Sequence, residues 1–151
     1  MKTVVLRQYQ DIVNRASQKG VDIIMPEEGW LRTLRKALGM SGAQLGRRIG
    51  VSRAQIAKSE RNEMAGVITL KTLENMAQAM GARIAYTIVL PTEAEKLVSE
   101  RANEKAQKML QKTNAHMALE SQALDRDALA FELERLKQEL LREMPADLWD
   151  A

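Results

Sequence analysis

Residues 41–62, SGAQLGRRIGVSRAQIAKSERN, predict two short helices joined by a tight turn. Leu45 and Ile49 are four residues apart and therefore share the inner face of the first helix. Gly46 lies between them, where a side chain would hold the second helix away. Gly50 stands where the chain must reverse, a place that favours a residue with positive φ. The pattern predicts two helices that pack at close range.

The second predicted helix carries hydrogen-bond donors along its outer face. Ser52 precedes it and is placed to accept a hydrogen bond from its free amides, while Ile56 points back at the first helix. Arginine and lysine suit guanine edges and phosphates, and glutamine suits adenine edges. We therefore predict that this helix enters a DNA groove. The predicted DNA-binding residues are Ser41, Arg47, Ser52, Arg53, Gln55, Lys58 and Arg61.

A set of residues at fixed offsets resembles the lambda-repressor/Cro-like (XRE) helix-turn-helix family. The resemblance implies a repressor that reads two half-sites of double-stranded operator DNA as a dimer. An ordinary helical hairpin inside a bundle is the alternative. The residues that carry the resemblance are Leu45, Gly50, Val51, Ser52, Ile56 and the pair Glu60 and Arg61.

The net charge of +3 conceals an asymmetry along the chain. Residues 1–61 contain 12 Lys and Arg against 5 Asp and Glu, whereas residues 62–151 contain 11 against 15. The positive part includes the two-helix motif, as binding to phosphates requires. DNA would repel the acidic part, which therefore needs another role.

Composition argues against several other classes of protein. Cysteine is absent and His116 is the only histidine, so thiolate sites and His-based zinc sites are excluded. Without a nucleophile–base pair or a phosphate loop, we expect no enzyme, no cofactor and no metal. The sequence also lacks an apolar run long enough to span a membrane and a secretory signal, so we expect a cytoplasmic protein.

The pattern along the chain predicts a mainly α fold with one β-strand and a C-terminal helical extension. Residues 1–25 form a helix and connector, and residues 26–81 form the helix-turn-helix domain. Residues 82–91 form the strand, a dimerisation candidate. Residues 92–151 form an acidic helical region for binding a protein partner, beginning with a helix capped by Thr92.

The helix that precedes the two-helix motif is predicted to start near Pro26, which suits a first helical turn, and to end near Leu38. Trp30 is predicted to be a core anchor beneath the motif. The outer face of this helix either is solvated or contacts phosphates. That face consists of Arg32, Arg35 and Lys36.

The strand prediction for residues 82–90 comes from alternation with a period of two and from dense β-branched residues. A lone strand cannot satisfy its own backbone, so it needs a partner. The candidates are residues 3–6, if they do not extend a helix over residues 1–20, or the same strand of a second copy. Pairing with the same strand of a second copy is favoured, because the resulting two-fold dimer would suit an operator with two half-sites.

Several segments far apart in the chain together resemble the family called mobile mystery protein A. Its members are encoded beside a Fic-domain protein and are viewed as antitoxins. The resemblance implies a type II antitoxin that inhibits a Fic-family AMP-transferase toxin and represses its own operator, as a homodimer or a heterotetramer with the toxin. The segments are VLRQ at 5–8, GWLRTLRKALGMS at 29–41, ITLKTL at 68–73, HMALESQALD at 116–125 and LWD at 148–150.

The Fic resemblance also implies an inhibitory helix with the pattern Ser/Thr-x-x-x-Glu-Gly/Asn. The nearest match places Glu120 as the inhibitory carboxylate, with His116 at the Ser/Thr position and Ser121 at the Gly/Asn position. A solvated pair between His116 and Glu120 on one helix face is the alternative.

Two further questions stay open in the sequence. Trp149 either docks on the body of the chain or contacts another protein. The alternative to an antitoxin is a stand-alone XRE-type repressor whose C-terminal helices only oligomerise.

Overall fold

The structure is a computed structural model that describes residues 2–119 and 125–151. In these ranges the chain is mainly helical, as predicted, and no helix is long and apolar enough to cross a membrane. The helices are α1 (Lys2–Gly20), α2 (Trp30–Ala37), α3 (Gly42–Ile49), α4 (Arg53–Met64), α5 (Leu70–Ala79), α6 (Ala94–Leu119) and α7 (Arg126–Glu143).

The helices are divided between two compact units. Gly20–Thr87 forms one unit, which contains α2 to α5. The second unit combines the chain up to Lys19 with Ile88–Ala151, so α1 belongs with α6 and α7 rather than with the helix that follows it. The first unit is called the four-helix unit below, and the second the α1–α6–α7 unit.

The turn between α3 and α4 depends on two glycines. Gly50 ends α3 with φ of 88°, a left-handed conformation that glycine adopts without strain. The N–H groups of Gly50 and Val51 both donate to the Gly46 carbonyl, at 2.7 and 2.8 Å. A Cβ on Gly46 would lie 2.5 Å from the Val51 carbonyl oxygen. The roles predicted for both glycines are therefore confirmed.

The core of the four-helix unit takes one large apolar side chain from each helix. Leu31, Leu45, Ile56 and Met76 are at most 3% exposed. Full burial of such a side chain contributes roughly 1.5–3 kcal/mol to the free energy of unfolding. Partly buried apolar residues pack around them, namely Leu34, Met40, Ile49, Ile68, Leu73 and Ala79.

The start of α2 differs from the prediction. Pro26 lies in a turn, where its carbonyl accepts the Gly29 N–H at 3.0 Å, and α2 begins only at Trp30. Trp30 is 48% exposed, so the prediction that it anchors the core is wrong. As the first residue of the helix it lies at the edge of the core, and Leu31 occupies the anchoring place instead.

Residues 82–90 form neither helix nor strand in the structure, so the predicted strand is not found within the described ranges of this single chain. Their backbone is bonded in places to side chains: the Ile84 N–H donates to Glu74 at 3.0 Å and the Leu90 N–H donates to Ser17 at 2.8 Å. Residues 3–6 lie inside α1, so their pairing as a strand is ruled out. Pairing with a second copy stays a prediction.

In the α1–α6–α7 unit, α6 and α7 pack as an antiparallel hairpin around Ala102, Ala106 and Leu140. Asn14 of α1 accepts the Ala94 N–H at 2.9 Å and donates to Glu95 at 2.9 Å. An asparagine from another helix thus satisfies a free amide at the start of α6, where the sequence predicted Thr92 as the cap. Asp125 caps α7 through the Ala128 N–H at 2.8 Å.

Replacement of Gly46 by alanine tests the close approach of α3 and α4. We expect Gly46→Ala to lower the free energy of unfolding by about 1–3 kcal/mol or more, because backbone must move to admit the methyl group. Gly42→Ala is the matched control, since its Cβ would meet only the Arg53 Cγ, at 3.6 Å, and the Ile56 Cγ2, at 3.9 Å. Urea unfolding followed by circular dichroism measures both. Equal stability of Gly46→Ala and wild type would contradict the close approach.

Candidate nucleic-acid interface

Helix α4 has one buried face and one exposed face. Ser52 caps it by accepting the Gln55 N–H at 3.1 Å, as predicted. Ile56 and Ser59 are buried, which turns the opposite side of the helix to solvent. The four side chains predicted to contact DNA from this helix are all exposed, namely Arg53, Gln55, Lys58 and Arg61.

Two buried carboxylates fix α4 against α2. Glu60 accepts two hydrogen bonds from Arg35, at 2.6 and 3.2 Å, and Arg35 also donates to the Met40 carbonyl at 3.0 Å. Glu63 accepts the backbone N–H groups of Trp30 at 2.7 Å and Leu31 at 2.9 Å. A bidentate carboxylate–guanidinium pair is strong and directional. A carboxylate at a helix N-terminus is favoured by the free amides and the helix dipole.

The pairing of Arg35 with Glu60 favours the charged form of Arg35. The hydrogen bonds that Arg35 donates to Glu60 raise the pKa of the Arg35 guanidinium above its ordinary value, against the opposing effect of its partial burial. The side chains of Arg35 and Glu60 are only 13% and 9% exposed, so solvent screens the attraction between their charges weakly. Arg35 is therefore committed to holding α4 and the loop before α3.

Sequence reasoning did not identify the role of Glu63. Glu60 was named only among the residues of the family motif. The face of α4 on which Glu60 and Glu63 both lie was not considered. The spacing of three between them was the available signal, because it places both on one face of α4. The donors that bind them could not be found from spacing, since Trp30 lies 33 residues away from Glu63.

A groove of about 1040 Å³ runs between α2, the start of α3 and α4. Ser41 stands at its α3 end, where its hydroxyl accepts the Gln44 N–H at 3.1 Å and completes a capping box. The groove therefore joins three of the predicted DNA-binding residues to two arginines of α2. These arginine and serine residues are Ser41, Arg53, Arg61, Arg32 and Arg35.

The groove also contains acidic groups at its α2 end. Glu27 and Glu28 line it, and Glu28 accepts hydrogen bonds from Lys36 at 2.9 Å. The bond from Lys36 lowers the pKa of Glu28, which is about half exposed. The groove is therefore lined by both basic and acidic side chains.

Arg47 does not join this groove. It is exposed on α3 and lines a separate depression of about 480 Å³ with Gly39, Gln44 and Arg48. Arg48 donates to the Ala79 carbonyl at 2.8 Å. Of the predicted DNA-binding set, Arg47 is therefore the one that stands apart from the groove and from the exposed face of α4.

The residues predicted to inhibit a toxin lie largely outside the described part of the chain. Glu120 and Ser121 fall between the two described ranges. His116 is exposed in the last turn of α6. The geometry of the predicted inhibitory motif therefore stays a prediction.

Comparison with known families assigns the motif. Residues 31–86 match the family model described as Helix-turn-helix. The match supports DNA binding by an XRE-type helix-turn-helix in this segment. The matched residues contain α3, α4 and α5 and all but the first residue of α2, so the match coincides with the four-helix unit. No curated protein and no solved structure matches the chain.

Alanine substitutions on the exposed face of α4 test its contact with DNA. We expect Arg53→Ala and Gln55→Ala each to weaken binding to a selected operator by roughly 1–3 kcal/mol and to relax base preference at one position. Lys58→Ala should weaken binding to all sequences alike. It should also reduce the slope of log affinity against log salt concentration by about one. Fluorescence anisotropy over a salt series, with the operator selected from random duplexes, measures these effects.

Lys108→Ala is the matched control for loss of one positive charge. Lys108 is exposed on α6, in the α1–α6–α7 unit, and we expect its substitution to change DNA affinity little. Unchanged operator affinity in Arg53→Ala would show that this face of α4 does not read bases.

Proposed function

We propose that this protein is an antitoxin of a type II toxin–antitoxin pair. Its four-helix unit binds and represses its own operator, and its α1–α6–α7 unit binds and inhibits a Fic-family AMP-transferase toxin. The observation that carries the operator half is the division of α4 into an anchored inner face and an exposed outer face of donors. The match to a helix-turn-helix family supports the same half.

The operator half requires α4 to be presented at a fixed angle. Glu60 and Glu63 hold the inner face of α4 to α2, so its outer side chains are positioned before DNA arrives. Preorganisation of this kind lowers the entropic cost of binding. Two copies would read half-sites about one turn of DNA apart. We propose that residues 82–90 take part in pairing the two copies.

The toxin half is supported by the resemblance to mobile mystery protein A and by the separate α1–α6–α7 unit. This unit has its own core and is formed by helices that the helix-turn-helix match does not include. Residues 88–151 and 1–19, which make up this unit, together contain 14 Asp and Glu against 13 Lys and Arg. This nearly balanced charge gives the unit little attraction for the operator and leaves it available to a protein partner.

The proposed inhibitory step is electrostatic. A carboxylate of Glu120 would bind an arginine of the toxin's active site through charge-assisted hydrogen bonds and would prevent correct seating of the ATP γ-phosphate. The family resemblance is what supports this mechanism.

Co-expression with a Fic-domain AMP-transferase, the proposed partner, provides a test of this mechanism. Wild-type chain should co-purify with the toxin and suppress transfer of AMP from labelled ATP. Glu120→Ala should restore AMP transfer while the complex persists. Glu100→Ala, an exposed glutamate on α6, is the matched control and should inhibit like wild type.

The other outcomes separate the alternatives. Full inhibition by Glu120→Ala would exclude the glutamate mechanism and leave steric blocking of the toxin. Absence of a complex with the Fic-domain protein, together with intact operator binding, would favour the stand-alone repressor.

A further inference from the structure

Residues 145–151 turn back onto α6 after the end of α7. Met144 ends α7 in a left-handed conformation, with φ of 45°, and its N–H donates to the Leu140 carbonyl at 2.8 Å. Leu148 is 1% exposed and packs in the core that contains Ala102 and Ala106. The chain beyond α7 is therefore part of the packed α1–α6–α7 unit.

Two basic side chains of α6 fix the backbone of this segment. The Arg101 guanidinium donates to the Leu148 carbonyl at 2.7 Å and also to the Asp150 carbonyl. Lys105 donates to the Asp147 carbonyl and lies 3.1 Å from the Asp147 carboxylate. The carbonyls of the residues on both sides of Trp149 are thus held by a charged donor, whose hydrogen bonds are stronger than neutral ones.

The indole of Trp149 does not share in this packing. Its residue is 61% exposed although its immediate neighbour, Leu148, is buried. A large aromatic side chain on a fixed backbone loses little conformational freedom when it enters a pocket of a partner. Tryptophan is also the residue type most enriched among those that dominate binding energy at protein interfaces.

The charges around Trp149 indicate what kind of partner fits. Asp147 and Glu104 have side chains that are 64% and 63% exposed, and Asp150 is exposed beside the indole. Arg101 and Lys105 are only 15% and 19% exposed, because they are directed at the carbonyls of the segment. Around the segment that Arg101 and Lys105 hold, the carboxylates of Glu104, Asp147 and Asp150 are therefore exposed, whereas the two basic groups are largely covered.

We propose that Trp149 anchors a docking surface for a basic protein partner, which accepts the indole in an apolar pocket and meets the flanking carboxylates with lysine or arginine. This inference rests on the proposed function, in that the Fic-domain toxin is taken as the partner. It settles the choice between the two roles of Trp149 in favour of contact with another protein. Arg101 and Lys105 are the residues that present the anchor.

The dissociation constant of the purified complex tests the proposal. Trp149→Ala in the full chain should weaken binding to the Fic-domain protein by at least about 30-fold. The variant should keep the circular dichroism and melting temperature of wild type, because the removed side chain is exposed, and should bind operator DNA normally. Isothermal titration calorimetry measures the toxin affinity.

Phe131→Ala is the matched control. Phe131 is an aromatic residue and is 72% exposed, but it lies within α7 and not in the segment that Arg101 and Lys105 hold. We expect its substitution to change the dissociation constant by less than about threefold. Asp150→Asn should weaken binding and reduce its dependence on salt concentration, as expected when a carboxylate meets a basic rim.

The outcomes distinguish this inference from the function on which it rests. Wild-type affinity in a folded Trp149→Ala variant would overturn the anchor and leave the antitoxin function standing. An equal loss in Phe131→Ala, or binding that strengthens with salt, would overturn the assignment of Trp149 or of the basic partner. Failure of the wild-type chain to bind the Fic-domain protein would overturn the proposed function and this inference together.

Discussion

The close contact at Gly46, between α3 and the turn that leads into α4, is the constraint on which the four-helix unit depends. A Cβ at this position would lie 2.5 Å from the Val51 carbonyl oxygen, so the helices can meet only where this side chain is absent. Their approach allows Leu45 and Ile56 to share one core. Because Ile56 is fixed inward, the opposite face of α4 must point to solvent.

Charge is distributed on α4 according to the same geometry. The inner carboxylates of Glu60 and Glu63 are paired with a guanidinium and with free helix amides, which compensates for their burial. The outer face keeps its positive side chains exposed, with Arg53 at the groove that α4 forms with α2 and α3. One short helix therefore has anionic groups for structure and cationic groups for recognition, on separate faces.

The α1–α6–α7 unit repeats this principle with different residues. Arg101 and Lys105 are largely covered and hold backbone carbonyls, while carboxylates and an indole remain exposed around them. Arg35 has the same structural use in the four-helix unit, where it holds Glu60 and the Met40 carbonyl. The two units differ in the side chains that stay exposed beside these contacts, which are hydrogen-bond donors on α4 and carboxylates and an indole near the end of the chain.

The sequence by itself determined the two-helix motif, its glycine turn and the caps at Ser52 and Asp125, because these features depend on residues within a few positions of one another. Only the tertiary structure decided that Trp30 lies at the edge of the core, that Glu63 caps α2, that Asn14 caps α6 and that Arg101 clamps the backbone beside Trp149. Each of these features joins residues or helices that are distant in the chain, and no local pattern encodes such contacts. The strand predicted for residues 82–90 is the limiting case, since a strand exists only through the partner that completes its hydrogen bonds.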